Sequence, residues 1–116
     1  MRRPDYRLCD QTVTVYRRNG RDDISRTVFD RAFLDIKKVR NVEKTGSDGA
    51  MSFLLVILGD ADVRDGDKAI HGEGPEIGTD AEWQQFVPSK VRGLCAVRWA
   101  DPKYLGGEVC HVEAGG

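Results

Sequence analysis

The chain has 116 residues, enough for one domain and too few for two independent cores. Hydrophobic residues make up 40% and charged residues 32%, so a single core can form while much of the surface carries charge. The formal net charge of −1 excludes selection of a partner by bulk charge alone.

Charge is nevertheless unevenly spread. Residues 1–58 hold 12 Lys/Arg and 8 Asp/Glu, whereas residues 59–116 hold 6 and 11. Opposite signs on the two halves suit copies that pack head to tail, unless the halves intermix in the fold. The three cysteines, Cys9, Cys95 and Cys110, are widely spaced, and no apolar stretch follows Arg2, Arg3 and Asp5. Free thiols and no secretory signal are therefore expected. No window approaches the roughly 18 apolar residues of a bilayer span, and no membrane partner is expected.

Residues 1–10 are polar and read as an arm on a single domain spanning 1–116. Thr12–Arg17 (TVTVYR) alternates, with Val13 and Val15 on one face and Thr12, Thr14 and Tyr16 on the other. Asn19-Gly20 followed by Asp22-Asp23 signals a hairpin turn. Ser25–Phe29 reads as the returning strand, and Phe33–Val39 as a further strand leading into a Gly-containing loop at Lys44–Ala50. Ser52–Leu58 (SFLLVIL) is the most apolar run and predicts the central strand.

Gly59–Asp67 is an acidic turn region, and Lys68–His71 a short strand. Gly72, Gly74, Pro75 and Gly78 then break regular structure. Thr79 with Glu82 three residues later forms a capping-box pattern opening a helix over Ala81–Phe86, ended by Pro88. Val91–Ala100 alternates as a strand with Val91, Gly93, Cys95, Val97 and Trp99 on one face. Asp101-Pro102 and Gly106-Gly107 mark a loop, and Glu108–Glu113 the last strand. The expected fold is mainly β: a small barrel or sandwich of about six or seven short strands with one short helix near 81–86.

The chemistry-bearing patterns are sparse. Asp60, Asp62, Asp65 and Asp67 invite a calcium-loop reading, but counting Asp60 as the first position puts Arg64 and His71 where acids are required. A solvated acidic turn fits better. Gly66–Pro75 lacks the Gly-Lys-Ser/Thr ending of a phosphate loop, and Glu73 would repel an anion. Cys110 and His111, being adjacent on a strand, point to opposite faces and cannot readily share an ion. A Cys/His pair oriented by Asp101 or Glu113 is conceivable on paper, but neither thiol sits at a helix N-terminus. No catalytic residue, metal or cofactor is therefore expected. The aromatics Trp83, Phe86, Trp99 and Tyr104 are not interleaved with a basic cluster, so only nonspecific proximity of the N-terminal arginines to DNA is expected.

The succession SFLLVILGD, VRDGDKAIHGEGPEI, EWQQFVPSKVRGLCAVRWADPKY and EVCHVEAGG, with TVTVYRR and RTVFDRAFL ahead of it, resembles small proteins of the head–tail region of tailed phages and prophages of Gram-positive bacteria. Val63-Arg64-Asp65-Gly66-Asp67 is similar to the turn found in head-closure proteins, small β-barrels that ring the portal exit. The resemblance implies a virion component made in the host cytoplasm, acting by ring assembly with further copies of itself and with portal, adaptor or tail proteins. Such a subunit needs two different complementary surfaces. The expected assembly elements are Asp60, Asp62, Asp65, Asp67 and Glu73, facing a lumen or a neighbouring ring, with mobile Gly-rich loops at Gly72–Gly78 (Gly72 and Gly74 among them) and Thr45–Ala50. The alternatives are a tail-side or minor capsid protein on the same scaffold, and a small ligand- or metal-binding barrel using Cys110 or His111.

Overall fold

The computed structural model describes residues 7–38 and 51–116. Among the described residues, seven strands form one antiparallel sheet, with a single short helix: β1 (Gln11–Gly20), β2 (Asp23–Lys38), β3 (Met51–Leu58), β4 (Lys68–His71), α1 (Asp80–Gln85), β5 (Cys95–Ala96), β6 (Trp99–Leu105) and β7 (Glu108–Gly115). The order across the sheet is β5-β4-β1-β2-β3-β7-β6. The two edge strands are thus consecutive in the chain, separated only by Val97 and Arg98. That link bonds to both sides: Val97 N donates to Asp67 O, and Arg98 N donates to Gly115 O. The sheet curls until its edges approach, although no ladder joins β5 to β6 and it is not a closed barrel.

The expected hairpin is present. Gly20 pairs with Asp23, and Asp22 occupies the left-handed region at φ 53°, a conformation that Asp tolerates better than most residues. The two strands expected at 25–29 and 33–39 are one continuous strand, β2. The register jumps from Val13↔Phe29 to Gln11↔Ala32, a bulge that inserts an extra residue and restores the inward phase. Phe29 packs against the core before the bulge, and Ala32, Leu34 and Ile36 do so after it. The first half of β2 pairs with β1 and the second with β3. The expected loop at Lys44–Ala50 lies outside the described residues.

Two further expectations are corrected. The strand expected at Val91–Ala100 is divided, with residues 91–94 outside any strand, β5 at Cys95–Ala96 and β6 beginning at Trp99, and Asp101-Pro102 lies within β6, where an edge strand accommodates proline. The hairpin turn between β6 and β7 is Gly106-Gly107 alone, both with positive φ, as a two-residue loop demands.

The main core lies on the concave face: Val13, Val15, Leu34, Phe53, Leu55, Ile57, Val97 and Val112 pack together, with Val63 entering from the 59–67 loop. A second cluster lies on the convex face of β1 and β4. There Tyr16, Phe86 and Leu94 are buried, with Ile70, Ile77, Trp83 and Val91 around them. Residues 72–94 form a strap that covers this half of the sheet. This is why Val13, Thr14, Val15 and Tyr16 are all buried despite their alternation.

Candidate functional site

The acidic loop is organised around Arg17 of β1. Arg17 Nε and Nη2 donate to the two oxygens of Asp67 at 3.0 and 2.8 Å, while Nη1 reaches Asp62 Oδ2 at 2.9 Å. Asp67 also accepts from the Arg64 backbone N–H at 2.9 Å, and its side chain is 3% exposed. It is an internal buttress, not part of a solvated acidic turn, because a carboxylate shielded from water persists only when fully hydrogen-bonded. Hydrogen bonds from Arg17 hold the Asp62 carboxyl below its ordinary range. Asp60 and Asp65 are exposed. Beside them lies an open cleft of about 390 Å³, rimmed by Asp60, Asp62 and Arg64 and floored by Val63, Ala100, Pro102 and Val112.

The Gly72–Gly78 loop, expected to be mobile, is anchored at several points. Thr14 Oγ1 donates to Gly72 O at 2.6 Å and accepts from Gly74 N at 3.0 Å. Tyr16 Oη donates to Pro75 O at 2.7 Å, and Arg26 donates to Gly74 O through Nε and Nη2. Gly74 is buried against Tyr16 and Ile70, where a Cβ would collide with the Tyr16 hydroxyl. Glu73 remains exposed.

The strap's helix is held at both ends. Thr79 accepts from Glu82 N, and Glu82 Oε1 accepts in turn from Gly78 N and the Thr79 hydroxyl, so the expected capping box is formed. Asp80 Oδ1 and Oδ2 accept from Arg18 at 2.9 and 2.8 Å, Asp22 N donates to Asp80 Oδ1, and Asp80 N donates to Asp22 Oδ1. At the other end, Lys68 Nζ donates to Trp83 O and Phe86 O at 2.9 and 2.7 Å and lies 3.9 Å from the Trp83 ring centroid. A buried ammonium satisfies the helix's terminal carbonyls, and burial lowers its pKa.

Among the described residues, no segment packs over the convex face of the other half of the sheet. Across β2, β3, β7 and β6 the register aligns Asp35, Leu54, Gly115 and Trp99 in one row, and Phe33, Val56, Glu113 and Asp101 in the next. Trp99 lies across Gly115: a Cβ on that glycine would sit 2.6 Å from Trp99 Cζ2. Leu54 and Trp99 are 38% and 45% exposed, large apolar groups at a surface otherwise rich in charge. Trp99 therefore does not share the inward face of Cys95 and Val97. The phase slips by one residue at the Val97–Arg98 link, so that Ala100 packs inward instead. Sequence reading missed this face because alternation through 91–99 placed Trp99 on the same side as Cys95 and Val97.

The thiols and imidazoles do not converge. Cys9 and Cys95 are buried, and burial pushes the Cys95 thiol up to about 11, away from the thiolate a nucleophile requires. His111 Nε2 lies 2.9 Å from Glu113 on the unstrapped face, while His71 contacts Gln11 at 3.1 Å beside β1. Among the described residues, no three His, Cys, Asp or Glu side chains are grouped to hold a metal ion. No described helix is long and apolar enough to cross a membrane. No family model matches the sequence, and comparison with curated proteins and with solved structures returns no match.

Proposed function

We propose that the protein is a structural virion component, a head–tail connector subunit of the head-closure kind, acting by ring assembly with copies of itself and with portal, adaptor or tail proteins. The reading begins from the sequence resemblance. The observation that supports it most is the unequal treatment of the convex sheet face. One half is sealed by the strap, residues 72–94, which carries Glu73, Glu76, Asp80 and Glu82 against Lys90 and Arg92. The other half leaves Leu54 and Trp99 exposed. A head-to-tail ring requires two unlike surfaces on each subunit, and an interface core favours aromatic anchors such as Trp.

The role is one of contact rather than catalysis, exercised in the virion after assembly in the host cytoplasm. The test is co-expression with phage portal and adaptor proteins, followed by purification and immunogold labelling of virions. Co-purification in ring-shaped complexes, with label at the neck, is the expected result. A tight two-fold dimer that ignores both proteins and is missing from virions overturns the reading.

A further inference from the structure

Resting on that assembly reading, we infer that the free edge of β6 takes up an extended strand of a different protein, one that presents an aliphatic side chain and a neighbouring Lys or Arg to the cleft beside it. β6 is the longer of the two edges of the sheet, seven residues against the two of β5. Its free backbone groups follow from Pro102. Proline has no N–H, so Pro102↔Val112 is a pair of the wide kind, whose N–H and C=O positions point away from the partner strand. Pairs alternate along an antiparallel ladder, so Ala100↔Ala114 has the same orientation. Tyr104 continues the series, because the extra residue of the bulge, Cys110, lies on β7. The N–H and C=O of Ala100 and Tyr104, with the C=O of Pro102, thus face the open edge. Among the described residues, no backbone hydrogen bond from outside the ladder reaches them. Such a row is a template for strand addition.

The same edge is ill-suited to a second β6. Residues 100, 102 and 104 do the bonding, so antiparallel self-pairing is confined to a few registers. Centred on residue 101 or 103, it sets Asp101 or Lys103 against its own copy. Centred on residue 102, it sets proline against proline, and neither can donate. A second copy's β5 offers only two residues. A different chain meets none of these conflicts. The cleft defines what that chain carries. It opens on the concave side, where alternate side chains of an added strand point, and its floor of Val63, Ala100, Pro102 and Val112 suits an aliphatic group. On its rim, Asp62 is shared by Arg17 and Arg64. Asp60 is exposed and makes no ion pair among the described residues, so its charge is open to a partner's Lys or Arg.

The test titrates a synthetic peptide of the pattern Thr-Val-Thr-Lys-Thr, blocked at both ends, into the isotopically labelled full chain and follows backbone amides by nuclear magnetic resonance. At saturation the Ala100 and Tyr104 amides should exchange with solvent about tenfold more slowly. A peptide with Glu in place of Lys should bind about tenfold more weakly, and Asp60→Lys should reverse that preference. Ala100→Pro removes an outward donor without touching the β7 ladder and should abolish binding, with the spectrum verifying the fold; if that variant does not fold, the Asp60→Lys preference decides. Four results overturn strand addition: no binding, binding elsewhere, edge amides already protected without peptide, or a folded Ala100→Pro that binds as well as the parent chain. Each leaves the co-expression test of the assembly reading intact. Peptide binding at the edge with no recovery of portal or adaptor proteins overturns the assembly reading instead.

Discussion

Arg17 and Asp67, fifty residues apart, meet through two hydrogen bonds of 3.0 and 2.8 Å at the point where the 59–67 loop returns to the sheet. The pair closes one end of the curled sheet, because Asp67 also contributes its backbone carbonyl to Val97 N. Arg17→Met would strand a buried carboxylate. We expect a loss of about 3 kcal/mol in urea denaturation. Adding Asp67→Leu should recover part of it, because the stranded charge is gone while the Arg64 N–H loses its acceptor. Equal stability of Arg17→Met and the parent chain would sink this account.

Gly115 is required by the close approach of Phe53 O and Trp99 rather than by its backbone conformation. Gly115→Ala would drive a methyl to 2.6 Å from the indole and 2.8 Å from Phe53 O. The ring can swing away, but the backbone carbonyl cannot. The expected cost is about 1–3 kcal/mol, with a shifted emission from Trp99 measured in a Trp83→Phe background, where it is the remaining one of two tryptophans. An unchanged spectrum and melting temperature would show that the packing is looser than the geometry implies.

The strap's attachment should weaken in acid. Hydrogen bonds from Arg18, then from the Asp22 backbone, hold the Asp80 carboxyl at about 2 against an ordinary value of 3.8. A carboxyl whose folded pKa is depressed contributes stabilisation that is complete above its ordinary pKa and is lost as pH falls through the folded value. Hydrogen exchange across residues 78–86 should therefore quicken between about pH 4 and 2 in the parent chain. In Asp80→Asn the same segment should exchange faster at neutral pH and show a flatter response over that window.

Trp99 is the side chain on which assembly and stability should separate. Trp99→Ser removes a 45% exposed ring from an edge strand, so the chain should stay folded with the unfolding free energy lowered by about 1–3 kcal/mol. Binding to the portal or adaptor should fall by tenfold or more, as for a central aromatic anchor. Calorimetric titration against the purified partner measures the second effect. Unimpaired binding by a folded Trp99→Ser variant would remove this face from the proposed interface.

Much of the fold was legible because its signals are local. The alternation of Thr12–Arg17, the turn chemistry of Asn19–Asp23, the apolar run Ser52–Leu58 and the Thr79–Glu82 capping box each act within a few residues, and each appears in the structure. The Gly106-Gly107 turn was legible too, although the strand leading into it was masked by the proline at 102.

What composition and spacing alone determined was a β-rich chain with one core, free thiols and a charged exterior. The tertiary structure decided which carboxylate is buried and which tryptophan is exposed. Asp67 looked like its exposed neighbours until Arg17 reached it across the sheet, and Trp99 shared a face with Cys95 and Val97 until the chain slipped by one residue in crossing from β5 to β6. Thr14 and Tyr16 lie on the face opposite Val13 and Val15, and the strap buries that face as well. The physical reason is common to all three. Periodicity within a strand reports which residues share a face, but burial of that face depends on segments tens of residues away, and the chain's local pattern carries no record of them.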